Sequence, residues 1–224
     1  MNSIVTYLQN PDTWLSLITL CIALIAVFQT HKQIGLSNKQ QLFDRRLEKY
    51  KLICEILDMY ERNRDTFLRE EKIYDHVSVY LPWLMEISLF ESSIDILFNA
   101  WTSKDQERFL LQLDKLEKSA FEIELLWKKR DSKVFREMLL QYCHLLKLLY
   151  KQYSFSSRAL VQFKKDYGNE FVKLGYEEYE KEIKENAEKI KLSASIKQFD
   201  NTYTTIISKK CVDKLFAQTK LYRR

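Results

Sequence analysis

The chain is predicted to be all-α, an N-terminal transmembrane helix followed by a cytoplasmic helical bundle, on three observations. Residues 13–30, TWLSLITLCIALIAVFQT, carry no charge, no Gly and no Pro, in a chain that is 30% charged overall. Only 3 Gly and 2 Pro occur in 224 residues, too few turn residues for an all-β or α/β fold. Beyond the uncharged run, apolar residues recur mostly at three- and four-residue spacing, the period of a helix face.

The uncharged run comes first. At about 1.5 Å per residue it spans roughly 27 Å, close to the ~30 Å hydrocarbon core of a bilayer. Asn10, Pro11 and Asp12 supply a helix start, with Asp12 as N-cap. A buried helix of a soluble protein would show a polar face, and here only Ser16, Thr19 and Gln29 offer one. Trp14, Leu17, Leu20, Ile22, Leu24, Val27 and Phe28 are therefore expected to contact membrane lipid, with the Trp14 indole at the interface. A cleaved signal peptide would carry Lys or Arg before the run and small residues in an A-x-A pattern after it. Residues 1–12 hold neither Lys nor Arg, and the run ends in Val27, Phe28 and Gln29.

Basic residues follow instead: Lys32, Lys39, Arg45, Arg46, Lys49 and Lys51. Lys and Arg beside a span are retained on the cytoplasmic side, so residues 1–12 are expected outside and the bulk of the chain in the cytoplasm. Lys32, Arg45 and Arg46 are the expected headgroup contacts. Ser16, Thr19, Ala23 and Ala26 line one face of the run, and small faces let membrane helices approach closely. Self-packing through that stripe is one expectation. An anchor whose small residues serve no pairing is the other.

Residues 31–41 read as a polar juxtamembrane neck with Gly35 as its flexible point. A helical bundle is expected over 42–167. Phe43, Leu47, Tyr50, Cys54 and Leu57 begin its first helix, widened by Ile53, Ile56, Tyr60 and Phe67 into a stripe that suits a multi-helix core. IYDHVSVYLPWLMEISLFESSIDILFNAW reads as helix, with Pro82 as an interruption or a first-turn residue. After a break at Lys104 and Asp105, Phe109, Leu113, Leu116, Ala120, Ile123 and Trp127 line a helix running to about Arg130. Asp131 and Ser132 supply the next turn and N-cap. Residues 133–153 are the most apolar stretch outside the anchor and read as the central helix of the bundle. A second span is disfavoured by its short apolar portion and by Lys147 and His144. From Gly168 the composition turns polar, and 168–224 is expected as a charged helical extension, with Thr202–Leu221 balanced between helix and a short strand.

LFDRRLEKY at 42–50, following an N-terminal anchor and a polar neck, resembles a widespread set of uncharacterised bacterial single-span membrane proteins. These share an LF-acid-basic-R-x-x-x-Y run just past the anchor and a later aromatic segment like Trp83 to Phe90. Leu47 and Lys49 stand here where those sequences often have Phe and Val. The resemblance covers roughly residues 13–150. It implies a helical cytoplasmic domain on one span in the bacterial inner membrane, and it implies no reaction.

Composition sets further bounds. Against 31 Asp and Glu stand 36 Lys and Arg, a net charge of only +5, which does not call for nucleic acid. Cys21, Cys54, Cys143 and Cys211 lie far apart, as expected for unpaired thiols in a reducing compartment. His31, His76 and His144 form neither H-x-x-x-H nor E-x-x-H, so the helical metal-site spacings are missing. Gly35, Gly168 and Gly175 stand alone, without a phosphate loop. Cys143 and His144, adjacent on a helix, point about 100° apart and do not converge. Glu86, Glu91 and Asp95, within an apolar helix, are the carboxylates in the most unusual setting. No catalytic, cofactor-binding or metal-binding residues are assigned. The expected function is that of a non-enzymatic, membrane-tethered scaffold or adaptor that binds another protein or itself. The alternative is a stress or phage-defence effector acting on the membrane through self-assembly of its anchor.

Overall fold

The computed structural model describes residues 11–68, 77–91, 103–171 and 175–219. It is all-α, with no strand among the described residues. The helices are α1 (Pro11–Leu68), α2 (Val77–Leu84), α3 (Ser103–Leu126), α4 (Lys129–Tyr167), α5 (Tyr176–Lys189), α6 (Leu192–Ser208) and α7 (Cys211–Thr219), with short 3-10 turns at Ser88–Phe90 and Gly168–Glu170. The chain forms two compact units, one holding the residues through Arg45 and the other, the helical body, Arg46–Lys220.

α1 is helical from Pro11, the first described residue, so Asp12 lies within the helix rather than at its N-cap. It then runs unbroken to Leu68, so the neck expected at 31–41 is helix. A lone Gly costs a helix only about 1 kcal/mol. His31, Lys32, Gln33, Lys39, Gln40 and Gln41 around Gly35 tolerate the helix, and nothing forces a turn.

α4 organises the body. Phe135, Met138, Leu139, Tyr142, Leu145, Leu146 and Leu149 are all buried, and α2, α3, α5, α6 and α7 each pack against this helix. α1 reaches the same core through large rings. Tyr60 lies 4.8 Å from Phe199 and 5.1 Å from Tyr203, edge-on to both, and stacks 5.9 Å from Phe67. Phe67 continues to Tyr80 at 5.7 Å, and Phe199 to Tyr142 at 5.9 Å. The Tyr142 hydroxyl donates to the Leu84 carbonyl, one of the carbonyls that the end of a helix leaves without an internal partner.

α2 contains Pro82 and ends two residues later. Met85 N–H then bonds both the Leu81 and Pro82 carbonyls, and the chain passes into the Ser88–Phe90 turn. Glu55 of α1 accepts from Ser88 N–H (3.1 Å) and Ser88 Oγ (2.6 Å). The long helix expected here is thus interrupted, while residues 92–102 lie outside the described residues.

The segment expected as an extension folds back onto the body. Ile183 and Ala187 of α5, five apolar residues of α6 from Leu192 to Ile206, and Leu215 of α7 are buried. Buried Gln152 donates to the Ile183 carbonyl (2.9 Å) and accepts from Asn186 Nδ2 (2.6 Å), which fixes α5 on α4. The ambiguous TYTTII segment is helical because Tyr203 and Ile206 face the core; burial overrides the β-branched preference.

Two joints depend on glycine. Gly168 ends α4 at φ 53°, ψ −129°, a region that L-residues avoid. Gly175 lies under the Tyr167 ring: a Cβ there would sit 2.7 Å from Tyr167 Cδ2 and 3.1 Å from Phe171 Cδ2. Tyr167 cannot easily yield, since it stacks on Phe163 and donates to Glu178 at 2.5 Å. Gly175→Ala should therefore destabilise the body by about 1–3 kcal/mol, read as a lower midpoint in chemical denaturation.

A polar clamp closes the other side of the core. Asp200 accepts from Arg64 Nε (2.6 Å), Arg64 Nη2 (3.0 Å) and Tyr60 Oη (3.1 Å), and the Arg64 guanidinium covers the Tyr203 ring at 5.5 Å. Hydrogen bonding from Arg64 lowers the Asp200 pKa, against the opposing effect of burial and with help from Tyr60. A carboxylate with a depressed folded pKa contributes its stability above its unfolded pKa of about 3.9, and that contribution is lost as pH falls through the folded value. Asp200→Asn should cost about 1–3 kcal/mol at neutral pH and narrow its stability gap to wild type below about pH 4, measured by urea melts across pH.

Candidate membrane anchor

An apolar helix face with no cover is the feature of this chain that most needs a function. In α1, every residue from Trp14 to Leu42 is exposed, the large apolar ones from Leu42 at 41% to Phe28 at 74%. Leu17, Leu20, Ile22, Leu24 and Val27 are among them. The mean hydropathy of its most apolar stretch is 1.8, and none of that stretch is buried. The helix is long and apolar enough to cross a membrane.

Its polar atoms suit such a setting. Hydrocarbon offers no partner for a hydroxyl, so each must be satisfied within the helix. Thr19 Oγ1 donates to the Leu15 carbonyl and Thr30 Oγ1 to the Ala26 carbonyl, both at 2.8 Å. Ser16, Thr19, Ala23 and Ala26 are all exposed. With the Thr19 proton committed inside the helix, the stripe offers a smooth, small surface more than a hydrogen-bond donor.

Helix continuity separates the expected headgroup contacts. Lys32 is exposed and lies two residues past Thr30, about 3 Å along the axis and within headgroup depth. Arg45 is also exposed, but fifteen residues past Thr30 amounts to about 22 Å, beyond the headgroup layer for an upright helix. Arg46 is half-buried and turns inward: Nε donates to the Leu126 carbonyl (2.8 Å) and Nη1 to the Gln218 carbonyl (3.0 Å). Leu126 is the last residue of α3, where a helix end leaves acceptors unpaired and favours a cation, and Gln218 lies in α7. Arg46 thus caps α3 and ties it to α7, its guanidinium turned into the body rather than towards headgroups.

Lys49, from the same basic cluster, is 9% exposed. Its ammonium meets Glu122 (2.8 Å), Glu48 (3.1 Å) and Ser119 Oγ (3.0 Å). Burial alone would lower its pKa, but the bonds from Glu122 and Glu48 prevail and raise it. The motif at 42–50 therefore divides its cations, with Arg45 outward and Arg46 and Lys49 into the body. Charge in the sequence carries no sign of that division, since a cap and a solvated cation look alike until the helix ends are in place.

The residues weighed for chemistry do not come together. Cys143 is buried with Sγ 3.7 Å from the Leu113 carbonyl. His144 lines a shallow depression of about 200 Å³ with Leu140, Gln141, Ser195 and Gln198, smaller than the ~300–1,000 Å³ of typical ligand pockets. Glu86 and Glu91 are exposed and do not line it, while Asp95 lies outside the described residues. Among the described residues no three His, Cys, Asp or Glu side chains gather as a metal site. Trp127, at the end of its expected apolar line, is buried in the core.

Comparison with known protein families, curated proteins and solved structures finds no match. Leu24→Arg places a cation at the centre of the apolar run, where membrane insertion is disfavoured by about 3 kcal/mol. The variant should shift from the carbonate-resistant membrane fraction to the soluble or aggregated fraction, while Leu24→Ile should remain.

Proposed function

We propose that this chain is a single-pass membrane protein acting as a membrane-tethered scaffold or adaptor, with residues 1–12 outside and the helical body in the cytoplasm. The uncovered helix from Trp14 to Phe28 carries the reading, because water leaves so much contiguous apolar surface unfavourable. The basic residues from Lys32 onward, against none in 1–12, support the orientation. Lys32 meets anionic headgroups, a contact worth about 1 kcal/mol. The resemblance carried by LFDRRLEKY adds a bacterial inner membrane as the setting. Recognition proceeds by helix faces, and confinement to a surface raises the effective concentration of whatever the body binds.

The anchor's exposed small face favours a second reading, an effector that perturbs the bilayer when its anchors assemble. Purification in mild detergent, with the mass of the complex and everything that co-elutes identified, separates the two. A stoichiometric partner protein is expected for the adaptor. A homo-oligomer without a partner, toxic on overexpression and harmless as Leu24→Arg, points to the effector. Orientation has its own test: with Ser3→Cys, a membrane-impermeant maleimide should label intact cells, and labelling only after lysis would reverse the topology.

A further inference from the structure

Gln218 is a meeting point. Its carbonyl accepts from Arg46 Nη1 (3.0 Å), its Oε1 from Lys128 N–H (3.4 Å), and its Nε2 donates to Asp131 Oδ2 (2.6 Å). Phe216 of the same helix lies 5.3 Å from the Tyr50 ring, and Leu215 and Thr219 are buried. α7 thus occupies a defined seat made by α1 and the α3–α4 turn.

The connection to that seat is only Lys209–Lys210, with Lys210 left-handed at φ 48°. A dedicated helix stop places Gly at such a position; here two good helix formers stand there, so the local preference is to continue α6 into α7. Lys191, between α5 and α6, is left-handed too at φ 59°. α6, however, is held by five buried residues, whereas α7 buries only Leu215 and Thr219. Of these two joints, the one at Lys210 is the easier to open. The described part of α7, Cys211–Thr219, is too short to remain helical by itself, so on leaving its seat it either unwinds or extends α6.

We propose that α7 is exchanged between two copies of this chain, each docking its Leu215, Phe216 and Gln218 in the seat of the other. The seat contacts are identical in both forms, and the exchanged form relieves the left-handed Lys210. What remains to offset is the entropy of association, which confinement to a membrane reduces. That concentrating effect rests on the membrane-tethered reading; the seat and the hinge do not.

Two full-length chains with different tags, both with Cys21, Cys54 and Cys211 replaced by Ser, one carrying Tyr50→Cys and the other Phe216→Cys, are co-expressed, purified in mild detergent and oxidised. Exchange predicts a disulfide between the two chains, absent when either substitution is present alone. Its yield should fall roughly fivefold with Lys210→Gly, which accepts the left-handed turn, and rise with Lys210→Val, which resists it. A bond formed only within a chain carrying both cysteines, with none between chains at any residue 210, overturns the proposal. Chains that co-purify without the mixed bond, and part when Ala23 and Ala26 are replaced by Leu, overturn exchange while leaving anchor pairing intact. Loss of the wild-type protein from the membrane fraction would fail the tethered reading separately.

Discussion

Burial of α4 is the constraint on which the body depends. From Phe135 to Leu149 its buried positions cover about two thirds of the helix circumference at ~100° per residue. No single neighbour can dry so wide a surface, so α2, α3, α5, α6 and α7 are all recruited to it. The polar-looking C-terminal quarter of the chain joins the body for this reason. Its thin apolar line, Ala187, Leu192, Ile196 and Phe199, supplies the missing wall.

Once those helices pack, their ends must be satisfied, and the body uses side chains from distant parts of the chain to do it. Arg46 ties the end of α3 to α7, Tyr142 meets the end of α2, Glu55 holds the Ser88 turn and Gln218 joins the α3–α4 turn to α7. Most of these are contacts between elements far apart in sequence. They add specificity more than bulk stability, because an unmatched partner would leave a carbonyl or a cation without a bond in a partly dry place.

The apolar N-terminal part of α1 follows a different rule. Its residues from Trp14 to Thr30 are exposed, and the Thr19 and Thr30 hydroxyls bond back within the helix. Apolar surface of this kind is stable only against lipid or another apolar face. The absence of a break between the run and the residues after it makes distance readable along the axis, which separates Lys32 from Arg45.

The sequence by itself determined the helical class, the long apolar N-terminal helix, the core stripes of α1, α3 and α4, and the apartness of Cys143 and His144. Each is local: periodicity, lack of charge and scarcity of Gly and Pro are properties of neighbouring residues. Tertiary structure decided what depends on partners. It folded the described residues of 168–219 onto α4 and drew Arg46 and Lys49 inward from a cluster that reads as uniformly basic, whereas 31–41 is helix simply because nothing local breaks α1. It also placed Gly175 beneath Tyr167 and Gln218 between three elements. Neither residue is marked in the sequence, because a close approach and a shared hydrogen bond exist only after distant segments have met.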